Sequence, residues 1–261
     1  MTKIHPTAIL SPKTEIVGKD VEICPYVVIE GNVKIDSGTK IFPFVHIQGY
    51  TEIGKNCRIF TGAIIGSVPQ DLKYRGEKSY LKIGNNNTIR EYVTINPGTG
   101  EGKTTIIGNN NLLMAYVHTA HNCVIGNNTI IANCGTLAGY VIIEDFAVIG
   151  GMVGIHQFCR VGKHAIIGGC SKITKDILPF VMADGHPANP HGLNKIGLKR
   201  RSFSKEKIDI LEKAYKIIFR SGLNVSSALK ELDKINNCEE IQYIINFIKQ
   251  SDRGIAKEST K

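Results

Sequence analysis

The 261-residue chain contains no tryptophan, and aromatic residues make up only 7% of it. No apolar run approaches the roughly 20 residues that a membrane-spanning helix needs, so no membrane span is expected. The opening MTKIHPTAIL has no charged segment followed by a long hydrophobic stretch and a cleavage site, and a cytoplasmic protein is expected. The seven cysteines are odd in number and scattered, with no C-x-x-C pair. That argues against a disulfide framework, a zinc ribbon or a redox motif. Most of them are read as small buried hydrophobes.

What the chain does have is positive charge at one end and a short period. Its formal net charge is +9, and residues 190–261 hold 15 Lys and Arg against 9 Asp and Glu. An acidic protein partner docking there is expected, and no nucleic acid. A solvated helical surface that is merely basic is the plain alternative. The period is six. Every sixth residue from Val17 to Ile65, from Ile83 to Ile95 and from Ile107 to Ile173 is Ile, Leu or Val, with Thr119 the single exception. Four residues after most of these stands a small or β-branched residue, and glycine often follows the large aliphatic, as at Gly54, Gly84 and Gly108.

Six does not match an α-helix, whose apolar stripe returns at three and four. It matches short extended segments joined by corners, each pointing one large and one small side chain inward, with the glycines taken as the bend residues. Three sides close a triangular coil of eighteen residues, so the 24 hexads predict eight coils. Stacked about 4.8 Å apart, such coils pair as parallel strands along the faces of a prism. Two stretches break the count, 67–80 and 96–104, and loops thrown out from a rigid prism are favoured places for substrate contacts. Beyond the prolines of DILPFVMADGHPANPHG the spacing becomes helical. Ser204 is expected to cap a helix running to about Arg220, Asn224 to cap a second, and CEEIQYIINFIKQ to form a third. Two domains are therefore expected: a β-helix over 1–189 and an α-helical domain over 190–261.

His118 and His121 stand in the segment AYVHTAHNCVIG. With an eighteen-residue winding, His121 shares a vertical column with Gly139 and Gln157, and His118 shares one with Thr136 and Gly154. The inward positions here are taken by Leu113, Val117, Thr119 and Cys123, which speaks against the histidines as core filler. Metal ligation, with His156 as a third ligand, is one remaining reading. The other is a general base. Position 121 projects outward near a corner, its unperturbed pKa near 6.5 suits proton abstraction at neutral pH, and a backbone donor lies one rung away at Gly139.

The hexad pattern resembles that of the hexapeptide-repeat acyltransferases, which form left-handed parallel β-helices. The strings QDLKY, NLLM, TLAG, HQFC and GLKRR, the two interruptions and the helical tail resemble the UDP-N-acetylglucosamine acyltransferase family, which begins lipid A synthesis. The resemblance covers essentially the whole chain. It implies a homotrimer with each site between neighbouring prisms, a donor acyl chain carried on the phosphopantetheine of an acidic acyl carrier protein, a UDP-sugar acceptor, and no cofactor or metal of the enzyme's own.

By the same resemblance His121 is the base that deprotonates the sugar 3-position, and Gly139 supplies the oxyanion amide. Asp71, Lys73, His118, His156 and Gln157 hold the UDP-sugar or line its cleft. Asn194 and Arg200 contact the phosphopantetheine arm with Arg201 beside them, and Gly169 leaves room for the acyl tail. The chain departs from the family at Asn122, where Asp is frequent, at Tyr140 and Asn96, where His is usual, and at Ile196, where an acidic residue stands. Tyr140 still falls beside the sugar. These departures leave open an acceptor with an amine at its 3-position. The pathway's later N-acyltransferase and a zinc-binding β-helix are the alternatives.

Overall fold

The computed structural model describes residues 1–235 and 238–258. Short parallel strands, most of them two residues long, form three sheets along the sides of a prism. The first face has eleven strands, of which the last is antiparallel, the second nine and the third eight. Ladder partners obey the eighteen-residue column: His118 pairs with Thr136, and Thr136 with Gly154. Across the interruptions Ile53 pairs with Ile83 and Ile83 with Ile107, so both insertions leave the prism without breaking a ladder. The large hexad residues from Ile23 onward fill the interior, and Thr119 is buried with them. This axial stack is the core, because only the inward column of each face is shielded from water.

Two details of the period need correction. The count places Val17 inside, yet Val17 is exposed and Ile16 takes its place. The reason is one extra coil at the base, wound one residue longer: Ile4 pairs with Ile23, Leu10 with Ile29 and Ile16 with Ile35. The prism is accordingly longer than eight coils. The glycines are not the bend residues either. Left-handed backbone falls two positions later, on Asn56, Asn86, Asn110 and Asn128, with φ between 55° and 58°. Asparagine tolerates that conformation better than most residues. Gly108 is needed for a different reason: a Cβ there would lie 2.4 Å from the Gly126 carbonyl oxygen of the next rung.

The prism ends in a hairpin of Val181–Gly185 and Ala188–Leu193 that spans the expected boundary at 189/190. Four helices follow: α1 (Lys195–Arg200), α2 (Lys205–Arg220), α3 (Val225–Ile235) and α4 (Glu239–Lys249). Ser204 caps α2 by accepting from the Lys207 N–H at 3.3 Å, and Asn224 accepts from the Ser227 N–H at 2.9 Å. The six-residue α1 is too short to give a period and is not foreseen. The helices are fastened to the third face at Glu144, whose carboxylate accepts from Arg160, the Lys163 N–H and the Tyr243 hydroxyl of α4. Among the described residues no helix is long and apolar enough to cross a membrane.

Candidate active site

The corner between the second and third faces carries the first group of candidate residues. Thr119 closes the strand of the second face that His118 opens, and Val124 opens one of the third, leaving His121 and Asn122 on the bend. Asn122 has φ 60°, so the chain turns there and aims the preceding imidazole out of the prism. Outward does not mean open. His121 is only 8% exposed, because Asn122, Tyr140 and the first insertion close around its ring.

Each edge of the imidazole has a distinct neighbour. Nδ1 lies 2.8 Å from the Asn122 Oδ1. The Thr99 N–H donates to that same oxygen at 2.9 Å, and the Asn122 Nδ2 donates to the Thr99 carbonyl at 3.4 Å. Nε2 faces the Asp71 carboxylate at 3.6 Å, beyond a direct hydrogen bond. Asp71 is itself held by the Lys73 N–H, which donates to its Oδ1 at 2.9 Å, while the Lys73 side chain is exposed. Tyr140 meets the ring edge-on, with centroids 5.5 Å apart, and stacks on Phe158 one rung up.

Gly139 presses on the same ring. A Cβ there would sit 2.5 Å from the imidazole Cε1 and 2.6 Å from Nε2, so glycine is required by the imidazole and not by the bend. Gly139 is buried, and among the described residues its N–H has no hydrogen-bond acceptor. A buried, unspent donor beside an imidazole is what stabilising a developing oxyanion needs.

The insertions brace each other around this corner. The buried Asn96 side chain donates to the Ser67 and Val68 carbonyls, and Glu77 accepts from the Gly100 N–H at 2.9 Å. Backbone N–H groups, that of Arg75 first, hold the Glu77 carboxyl below its usual range. Nearby, His118 is half-buried with Nδ1 2.7 Å from the Thr94 hydroxyl, and burial lowers its pKa. His156 is exposed and sits 3.1 Å from the Gln157 carbonyl. His118, His121 and His156 are thus engaged separately, and among the described residues no three such side chains of one chain gather as a metal site.

Within one chain the other candidates lie elsewhere. Gly169 occupies the corner between the first and second faces, the opposite edge of the second face from His121. It is exposed, and a Cβ there would meet the Gly151 carbonyl oxygen at 3.3 Å, which a slight adjustment accommodates. Asn194, Arg200 and Arg201 belong to the third corner. Asn194 is buried: it accepts from the Gly197 N–H at 3.0 Å and donates to the His164 carbonyl at 2.9 Å. Its side chain is the helix cap that aims α1. The Arg201 guanidinium lies 4.2 Å from the centroid of the Phe146 ring, and Arg200 is exposed.

A family model described as "Udp N-acetylglucosamine O-acyltransferase; Domain 2" matches residues 176–256, and the bacterial transferase hexapeptide model matches residues 104–139. The acyl-[acyl-carrier-protein]--UDP-N-acetylglucosamine O-acyltransferase of Thermodesulfovibrio yellowstonii is 53% identical over 260 residues, covering 98% of this chain and 100% of that one. The chain belongs to the UDP-N-acetylglucosamine O-acyltransferase family. Crystal structures of members agree. The Bacteroides fragilis acyltransferase is 48% identical with a TM-score of 0.94, covering 97% of this chain and 99% of that one. The Francisella novicida enzyme is 38% identical with a TM-score of 0.96, covering 98% and 95%. Membership makes this chain an acyltransferase of the hexapeptide-repeat, β-helical type, and the corner at His121 is where its fold sets an imidazole beside an unpaired amide donor.

Two contributors to the corner were not visible in the sequence. Thr99 acts through its backbone, inside an insertion with no period to mark it. Glu77 lies in the other insertion, and its partner Gly100 is 23 residues away.

Proposed function

We propose that the chain transfers an acyl group from an acyl carrier protein to the 3-position of UDP-N-acetylglucosamine, or of its 3-amino analogue, as the first step of lipid A biosynthesis. The observation that carries this reading is the pairing of an imidazole whose Nε2 is free of a direct hydrogen bond with the unspent Gly139 amide pressed against it. Nε2 takes the proton of the 3-hydroxyl as the oxygen attacks the thioester carbonyl. The tetrahedral oxyanion is held by the Gly139 N–H. On collapse the C–S bond breaks, and the imidazolium returns its proton to the departing pantetheine thiolate. Asp71, across from Nε2, favours the imidazolium that forms between these steps.

The donor approaches from the third corner. Among the described residues Lys199, Arg200 and Lys205 have no acidic partner, whereas Lys195, Lys207 and Arg220 are paired with Glu212, Glu240 and Glu258. The unpaired cations suit an acidic carrier protein, and the attraction weakens with salt. His121, Gly169 and Arg200 sit on three different corners of one prism, so a site using all three is shared between neighbouring chains of a homotrimer. The exposed ridge of Tyr26, Phe44, Tyr92, Tyr116 and Met152 along the first corner supports such an assembly. The enzyme works in the cytoplasm and needs no cofactor beyond the pantetheine its donor brings.

The test is mass spectrometry of the products from a mixed pool of acyl carrier protein donors offered both sugar nucleotides. An ester or amide at the 3-position is expected. No transfer to either acceptor would end the reading. Gly169→Met should move the preferred acyl chain to shorter lengths, and an unchanged profile would place the tail elsewhere.

A further inference from the structure

We propose that the second insertion fixes the tautomer of His121 through Asn122, so that the base always presents its lone pair on Nε2. This rests on the reading of His121 as the base. The argument begins with the amide. Asn122 Oδ1 receives the Thr99 N–H at 2.9 Å, and its Nδ2 faces the Thr99 carbonyl at 3.4 Å. Rotating the amide by half a turn would set NH2 against N–H and oxygen against oxygen, so the backbone of Thr99 permits one orientation only. In that orientation the atom 2.8 Å from the imidazole Nδ1 is an oxygen. An amide oxygen can only accept, so Nδ1 must carry the hydrogen and Nε2 the lone pair.

Free imidazole in water favours the opposite tautomer, with its hydrogen on Nε2. The clamp therefore works against the default. Its stiffness comes from the insertions: Gly100, next to Thr99, donates to Glu77, the Lys78 N–H donates to Glu101 at 3.1 Å, and Asn96 ties this insertion to Ser67 and Val68. A further bond fixes the backbone of Asn122, whose N–H donates to the Thr105 hydroxyl at 2.8 Å. The groups facing the imidazole are then all named: the Asn122 amide at Nδ1, the Asp71 carboxylate at Nε2, the Gly139 backbone on the face and the Tyr140 ring at the edge. Only the first lies within direct hydrogen-bond distance, and it opposes the pull of the Asp71 carboxylate, which at 3.6 Å favours a hydrogen on Nε2. Asn122 is a positioning residue, and Thr99 positions it in turn.

Nitrogen NMR of enzyme labelled at histidine, with the His121 signal assigned by its loss in His121→Gln, reads this directly and independently of turnover. Wild type should show a protonated Nδ1 and an unprotonated Nε2 above the titration of the ring. Asn122→Gly removes the amide yet accepts the φ of 60°, and should move the signal toward the Nε2–H tautomer while lowering kcat about tenfold and leaving the acceptor KM within twofold. Asn122→Asp should keep the Nδ1–H tautomer and move the acid limb of the kcat profile to higher pH, because a second anion, besides Asp71, then faces the ring. A wild-type Nε2–H signal, or an Asn122→Gly signal like that of wild type, overturns the proposal. Activity of His121→Gln within tenfold of wild type would instead sink the base reading, leaving the tautomer measurement to stand on its own.

Discussion

Two corners of the same prism treat the backbone in opposite ways. At the corner between the third and first faces, asparagine side chains consume the amides that the bend leaves free. The Lys55 N–H is taken by Asn85 Oδ1, that of Asn85 by Asn109, that of Asn109 by Asn127 and that of Asn127 by Asp145, all at 2.7–2.8 Å. At the corner between the second and third faces, among the described residues the N–H groups of His121, Gly139 and Gln157 have no acceptor. The winding is identical, and the side chains decide the outcome. A ladder of Oδ1 atoms makes a closed structural edge, because buried donors left unpaired are costly. Replacing that ladder with histidine, glycine and glutamine leaves those donors unpaired, and at His121 the first insertion and Asn122 shield the ring from bulk water.

The sharpest way to break this contrast is to remove the imidazole. His121→Ala should lower kcat by at least about a thousandfold with little change in thermal stability, since the ring is outside the core; proton transfer by a placed side chain contributes 10²–10⁴-fold. Melting curves beside steady-state rates check both halves. Gly139→Ala comes next. Its Cβ would overlap the imidazole, so the ring must move, and a loss of about a hundredfold in kcat is expected with the fold intact. A Gly139→Ala enzyme of normal rate would show that the amide and ring do not act together.

His164, at the other corner, answers a different question. It is stacked between Phe146 and Phe180, and desolvation, helped by Arg201 and Lys163, lowers its pKa to about 4. The folded state therefore binds this proton less readily than the unfolded chain, whose histidine titrates near 6.5. Its contribution to stability is whole above that value and is lost as pH falls through it toward 4, by up to roughly 2–3 kcal/mol. His164→Phe should flatten the dependence of melting temperature on pH between 7 and 4.5, and an unchanged slope would remove His164 from that role. The smallest effect belongs to the closed ladder. Asn127→Ala leaves the Asn109 N–H without its acceptor and should cost about 1–2 kcal/mol in denaturant unfolding, with kcat unchanged. A loss of rate there would mean that the two corners are coupled.

Much of the β-helix was legible because its period holds from Ile23 to Ile173 with one exception, Thr119, and two interruptions, and a column of eighteen follows from counting. That count put His121 beneath Gly139 before any coordinates. It went astray where local geometry differs from the average, at Val17 in the longer basal coil and at the glycines, whose need is close approach between rungs. That Asn194 caps α1 was not legible, because the six-residue helix it caps leaves no period. Asn122 stood out as a departure where Asp is frequent, but the clamp that holds its amide could not be seen.

By itself, then, the amino-acid order determined the winding, the column that joins imidazole to glycine and the cap of α2 at Ser204, because each of these repeats or breaks a spacing along the chain. Tertiary structure alone decided that Thr99 holds Asn122, that Asp71 faces Nε2 and that the site's remaining members stand on other corners. Those contacts join aperiodic insertions to the prism, and their partners lie more than twenty residues apart with no rule of spacing to bring them together.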